Sequence, residues 1–434
     1  MNKNFIMVVI GQIISLFGNA ILRFALPLYL LNQTGSAGLF GVISACSFIP
    51  MIVLAPVGGI FADRVNKRNI MVILDFSTAT LILILTILLG KVNLVVLLLV
   101  TMIILYGIQG AYQPAVQASI PVLLPEEYIM QGNAVINLVS SLASLLGPIV
   151  GGTLFAAVGI RPILFISIIC FVASAVMEIF IKIPHTKRKA EGNIFVIGFS
   201  DLKESFRYMG QEEPIIFKLS LVIAAINMFL SASMMIGLPV FVTQMLGFDA
   251  DTGNRLYGYV QAVMGAGSLL GGVSAGVFAK RLKPQNGYLT LLVDSITLLP
   301  IALAIVLPLP DVAAYGMIIV SSFFMMLLAS LFSVQIMSYL QMVVPEEKLG
   351  KIVSCAMCIG MCASPIGQAI YGALFECISG KAYLVVMITA GIGVGIALAS
   401  KGLFRTLAKV MKQNNKKKED EKNLQVANHQ EEIA

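Results

Sequence analysis

Twelve apolar runs of about 20 residues constrain this chain more than any other feature. At ~1.5 Å per residue, each can cross ~30 Å of hydrocarbon as a helix. Lipid offers the backbone no hydrogen bonds, so a spanning segment must satisfy its own N–H and C=O groups, as a helix does. Read against Gly, Pro and charge breaks, the runs place spans near 5–31, 37–61, 69–90, 94–119, 131–158 and 162–182. Six more follow near 215–245, 254–279, 286–308, 312–341, 350–377 and 381–403. A mean hydropathy of +0.92 rules out a water-soluble globule, which needs a polar surface. The expected fold is an all-α membrane protein of twelve transmembrane helices.

Orientation follows from the basic residues. Only Lys91, Arg161, Arg255 and Lys381 fall in the expected outer loops, and nearly all the other Lys and Arg of the 29 lie in inner segments. That places both termini in the cytoplasm and explains the net charge of +7 as a topology signal, without a nucleic-acid partner. The first apolar run is too long for a cleaved leader and lacks a small-residue cleavage site, so it is read as a retained span. Cys46, Cys170, Cys355, Cys358, Cys362 and Cys377 sit mostly in apolar runs and are read as packing residues. No metal site and no cofactor is expected.

A charged knot interrupts the oil twice. GGIFADRVNKR at 58–68 has a worn echo, GVFAKRLKP, at 276–284. Other pairs follow in the same order: LPLYL at 26–30 with LPVFV at 238–242, LFGVI at 39–43 with LYGYV at 256–260, LLPEE at 123–127 with VVPEE at 343–347, and GPI at 147–149 with SPI at 364–366. The chain therefore reads as two related six-span halves, residues 1–182 and 215–403, around a shared site. Between them, 183–214 is a cytoplasmic linker with an amphipathic segment carrying Phe199, Leu202, Phe206 and Met209 on one side. A polar cytoplasmic tail is expected over 404–434.

These residues resemble the major facilitator superfamily and, within it, the bacterial drug-efflux branch with macrolide-efflux-type exporters. Gly58, Gly59, Asp63, Arg64, Lys67 and Arg68 match that family's loop between spans two and three. QPAVQASIPVLLPEE (113–127) and SPIGQAIYG (364–372) are similar to the branch's signatures. The resemblance implies the major facilitator fold of two pseudo-symmetric six-helix halves, alternating access, and export of a small amphipathic molecule from a bacterial cell membrane in exchange for protons. A lysophospholipid or endogenous metabolite is the alternative cargo. Two departures leave coupling and direction open. Tyr106 stands where proton-coupled exporters often carry Arg, and Ala134 and Ala143 replace two glycines of the span-five motif.

The same resemblance suggests a breakable cytoplasmic latch, with Asp63 at the start of span eleven near Pro345, Glu346 and Glu347. Arg64 and Arg68 are expected to meet Asp75, Glu126 or Glu127. Gly147, Pro148, Gly151 and Gly152 of span five allow close approach, for packing or for gating. Asp75, Glu178 and Asp294 are intramembrane acids, each costing about 3 kcal/mol unless partnered. Pairing with loop cations or carriage of protons would justify them. Arg23 is read as a snorkelling rim residue or as a contact for an anionic or dipolar part of the cargo. Gln109, Gln113 and Gln117 share one helix side that should avoid lipid. Asn19, Asn227, Gln335 and Tyr339 complete the substrate-binding candidates. With no His in the spans, no acid cluster at ligand spacing and no GxxxxGK[ST] loop, neither an enzyme nor an ATPase is expected. Monomeric action in membrane lipid is the expected state.

Overall fold

In a computed structural model, the described residues of the chain form a bundle of twelve long helices. The structure describes residues 3–183, 206–278, 283–344, 346–378 and 380–433, with backbone alone at 3, 55–64, 126, 130, 212, 346–351, 354 and 414–433. The first six spans are α1 Lys3–Thr34, α2 Ala37–Arg64, α3 Lys67–Leu88, α4 Leu94–Leu123, α5 Ile129–Val158 and α6 Ile160–Ile179. The last six are α7 Pro214–Met245, α8 Ala250–Val277, α9 Pro284–Val306, α10 Asp311–Val343, α11 Glu346–Cys377 and α12 Ala382–Ile433. An even number of crossings puts both termini on one side, here termed the terminal face, opposite a far face.

Local chemistry sets the ends. Asn66 and Asn93 cap α3 and α4 by accepting from backbone N–H groups two or three residues on. Asp249 caps α8, and the Thr252 N–H that it accepts holds its carboxyl below the usual carboxylate range. On the far face, four turns contain a glycine at positive φ: Gly35, Gly90, Gly159 and Gly380.

Packing repeats with an offset of six. Among the first six spans, α1 packs on α5 and α6, α2 on α4, and α3 on α6. Among the last six, α7 packs on α11 and α12, α8 on α10, and α9 on α12. The two sets meet where α5 crosses α8 and α2 crosses α11. Both crossings are backbone to backbone. A Cβ added to Gly258 would lie 2.7 Å from the Pro148 carbonyl oxygen and 3.3 Å from Cα of Gly152. One added to Gly41 would lie 2.6 Å from the Gln368 carbonyl oxygen and 2.7 Å from Cα of Gly372. Asn32 Nδ2 donates to Asn254 Oδ1 (2.9 Å) and Gly38 N–H donates to Glu376 Oε2 (3.0 Å), tying the sets together at the far face.

Three spans depart from uniform helices. Two π-helical turns, Asn227–Ser231 and Phe241–Met245, interrupt α7. Span α9 breaks at Thr297, where Pro300 cannot donate an N–H to the preceding turn. The last helix outruns its expected end at 403, because Phe404, Leu407 and Met411 continue a buried helical stripe. The amphipathic segment lies outside the described residues up to 205; beyond it Phe206 is exposed and Met209 is buried.

Overpacking a helix crossing costs about 1–3 kcal/mol. Gly258→Ala is therefore expected to lower the thermal midpoint of the chain purified in detergent. Gly316→Ala, where an added Cβ meets nothing within 4 Å, is expected to leave it unchanged.

Candidate functional site

Beneath the far-face seal, the two sets enclose a small chamber of about 80 Å³. Arg23, Phe24 and Tyr106 contribute from the first six spans, Met235, Tyr257 and Gln261 from the last six. Arg23 lies about 13 Å along α1 from Asn32. Its Nη1 donates to Gln109 Oε1 at 2.7 Å, and its guanidinium carbon stands 4.2 Å from the centre of the Tyr106 ring. Phe24 stacks on Tyr257 with ring centres 5.1 Å apart, and Gln261 Nε2 donates to the Tyr257 hydroxyl at 2.6 Å. Arg23 does not snorkel to the rim. The guanidinium is held by an amide and an aromatic face, and its remaining donors suit an acceptor-bearing ligand.

A second polar group lies inside the first six spans. Tyr112 of α4 donates its hydroxyl to Glu178 Oε1 of α6 at 2.8 Å and accepts from Gln12 Nε2 of α1 at 2.8 Å. Ser15 of α1 donates to Asp75 Oδ1 of α3 at 3.0 Å, and Ser174 Oγ donates to the Gly11 carbonyl at 3.1 Å. Asp75 is 2% exposed and Glu178 1% exposed. One oxygen of each carboxyl has no hydrogen-bond partner among the described residues. Among the described side chains, hydroxyls and not loop cations reach these acids; the Arg64 side chain lies outside them. Arg68 instead bonds Asn69 Oδ1 and the Ile179 carbonyl at 3.4 Å, a cation at the C-terminal end of α6.

The other candidates disperse. Gln113 is half-buried and Gln117 exposed, while Asn19, one turn from Arg23, has a buried Oδ1 without a partner among the described residues. Gln335 is buried and accepts from Thr290 of α9 at 3.3 Å; Tyr339 is buried nearby on α10. Neither lines the Arg23 chamber. Asn227 and Asp294 line a separate cavity among the last six spans. Gly147 packs against Ala20 of α1, Gly151 against Phe24, and Pro148 with Gly152 forms the crossing with α8. Gly58, Gly59, Asp63, Arg64, Glu126, Pro345, Glu346 and Glu347 fall outside the described side chains, and the expected latch with them. Tyr257, Tyr112, Gln12 and Ser15 were not singled out from the sequence. The i, i+4 spacing of Ser174 and Glu178, and the polar pair Gln12 and Ser15 in an apolar helix, were the available signals.

Residues 8–360 match the family model described as Major Facilitator Superfamily. Macrolide efflux protein A of Streptococcus pyogenes is 25% identical over 368 residues, covering 84% of this chain and 87% of that protein. An uncharacterized MFS-type transporter of Bacillus subtilis, YfiS, is 27% identical over 223 residues, 51% of each. Among solved structures, a bacterial homologue of the iron transporter ferroportin in an inward-facing state superposes with a TM-score of 0.71 at 14% identity. That match covers 94% of this chain and 98% of the other.

Removing the Tyr112 hydroxyl would strand both Glu178 Oε1 and Gln12 Nε2. An orphaned buried group costs about 1–3 kcal/mol, while interhelical bonds in membranes average nearer ~0.6. Tyr112→Phe is expected to lose about 1–2 kcal/mol, read as a lower thermal midpoint.

Proposed function

The chain belongs to the Major Facilitator Superfamily of secondary transporters, and from that premise we propose that it exports amphipathic small molecules of the macrolide type by proton antiport. The reading places it in the plasma membrane of a bacterial cell as a monomer, with both termini in the cytoplasm. Its six-span halves are then the two rocking bodies, a division favoured by the packing pairs that recur six spans later.

The observation that carries the proposal is the Arg23 chamber, built from both halves beneath a far-face seal. At about 80 Å³ it holds two or three waters' volume, so a drug-sized cargo enters only if the halves move. The described state is then one closed at the far face. The seal at the α5–α8 and α2–α11 crossings would part while the terminal face closes, with Asp63 and Arg64 forming the latch there. The name of the macrolide efflux relative supports the cargo class and the export direction.

Proton coupling is assigned to Asp75 and Glu178. An intramembrane carboxylate costs several kcal/mol without a counter-charge, and no cation reaches either one among the described residues. A proton is the counter-charge small enough to enter that packed site. Because α1 carries Gln12 and Ser15 as well as Arg23, loss or gain of a proton alters the bonds holding the helix that lines the cargo chamber.

In inverted membrane vesicles with an acidic interior, labelled erythromycin is expected to accumulate, and collapse of the pH gradient should abolish this. Asp75→Asn with Glu178→Gln is expected to lower gradient-driven accumulation about tenfold, equivalent to ~1.4 kcal/mol, while exchange of internal for external drug persists. Accumulation indifferent to the gradient would remove the coupling assignment.

A further inference from the structure

A cavity of about 190 Å³ lies wholly within the last six spans, among α7, α9, α10 and α11. Its buried wall carries Leu291, Phe332, Ile336 and Leu340, with Asp294 set among them. Asp294 is 3% exposed, and its Oδ1 has no hydrogen-bond partner among the described residues. Among the described residues, no lysine, arginine or histidine lines the cavity. Ser231, Ser333 and Met357, also lining it, are exposed and form its mouth.

The polar groups here are arranged as acceptors. Asn227 spends its Nδ2 on the Gly360 carbonyl at 3.2 Å, and its Oδ1 accepts from Ser231 Oγ at 3.5 Å. Both residues belong to the first π-helical turn of α7, a backbone feature that recurs at functional sites. Asp294 sits just before the break in α9, where Thr297 Oγ1 donates to its backbone carbonyl at 2.6 Å. It lies about 15 Å along α9 from Pro284, near half the depth of the hydrocarbon. Structural demand alone does not account for the acid: alone in an apolar wall it is a cost, recovered only by a partner bearing positive charge.

We infer that this cavity is a binding site for a small lipophilic ammonium ion, its N–H directed to the Asp294 carboxylate and its hydrocarbon held by Leu291, Phe332 and Ile336. The space amounts to about six waters' volume, the bulk of a compact alkyl or cycloalkyl amine, or of the amino substituent of a larger cargo. An inorganic cation would find one carboxylate and few further oxygens in a mostly hydrocarbon wall, a poor exchange for its hydration shell. Where the export reading holds, the site names the charge class of part of the cargo. Binding itself does not rest on export.

The test uses the full chain purified in detergent and titrated calorimetrically near neutral pH with N,N-dimethylcyclohexylamine, against uncharged methoxycyclohexane. Saturable binding of the amine alone is expected. Asp294→Asn should weaken it about tenfold or more, and Ala329→Phe, which fills the cavity, should abolish it. Asp251→Asn, an exposed acid on α8, should leave it unchanged. Equal binding of the neutral ether, amine affinity unaltered in Asp294→Asn or Ala329→Phe, displacement by sodium chloride at matched ionic strength, or no binding to the parent chain would each overturn the site. Should Asp294→Asn fail to fold, the Ala329→Phe result decides. Amine binding by a chain that exports nothing would contradict the export reading and leave this site standing.

Discussion

Two glycine-lined crossings hold the halves of this protein together, and the remaining features are arranged around them. At Gly258 against Pro148 and Gly152, and at Gly41 against Gly372, backbone meets backbone with no side chain between. Without a hydrophobic force between helices in lipid, such close van der Waals contact is what associates them. Smooth surfaces can also tilt against each other without repacking interdigitated side chains.

Charge is distributed economically around those crossings. Arg23 lies in the chamber between the halves, held by Gln109 and Tyr106. Asp75 and Glu178 lie inside the first half, in a web of hydroxyls and an amide drawn from α1, α4 and α6. Asp294 lies inside the second half beside an apolar cavity. The acids occupy corresponding spans, α3 and α9, but not equivalent surroundings: Ser15 bonds Asp75, whereas Asp294 lines a mostly apolar cavity. The packing pairs recur six spans later, but the polar interiors of the two sets differ.

Much of this architecture was legible in the sequence because hydrocarbon imposes length and polarity on every span. The twelve runs and the resemblance carried by Gly58, Asp63 and Arg68 led to a family that residues 8–360 match. Partnerships were less legible. Ser15 and Asp75 stand 60 positions apart, and Tyr112 and Glu178 stand 66 apart, so no local spacing announces either bond. Cations were expected to meet the acids because charge was read along the chain; among the described side chains, hydroxyls meet Asp75 and Glu178. The π turns of α7 left no compositional trace, and the buried stripe of Phe404, Leu407 and Met411 was masked by the lysines around it.

Opposed motion of the two faces is the claim on which this account rests. Paired spin-label distances measure it most directly, in nanodiscs, with the native cysteines replaced by serine. One pair at Asn133 and Val277 reports the terminal face, and another at Val158 and Asp251 reports the far face; all four positions are exposed. Moving from mildly alkaline to mildly acidic buffer, with and without erythromycin, should shift population so that one distance shortens as the other lengthens. Distances that stay fixed in every condition, or that lengthen and shorten together, would contradict alternating access in this chain.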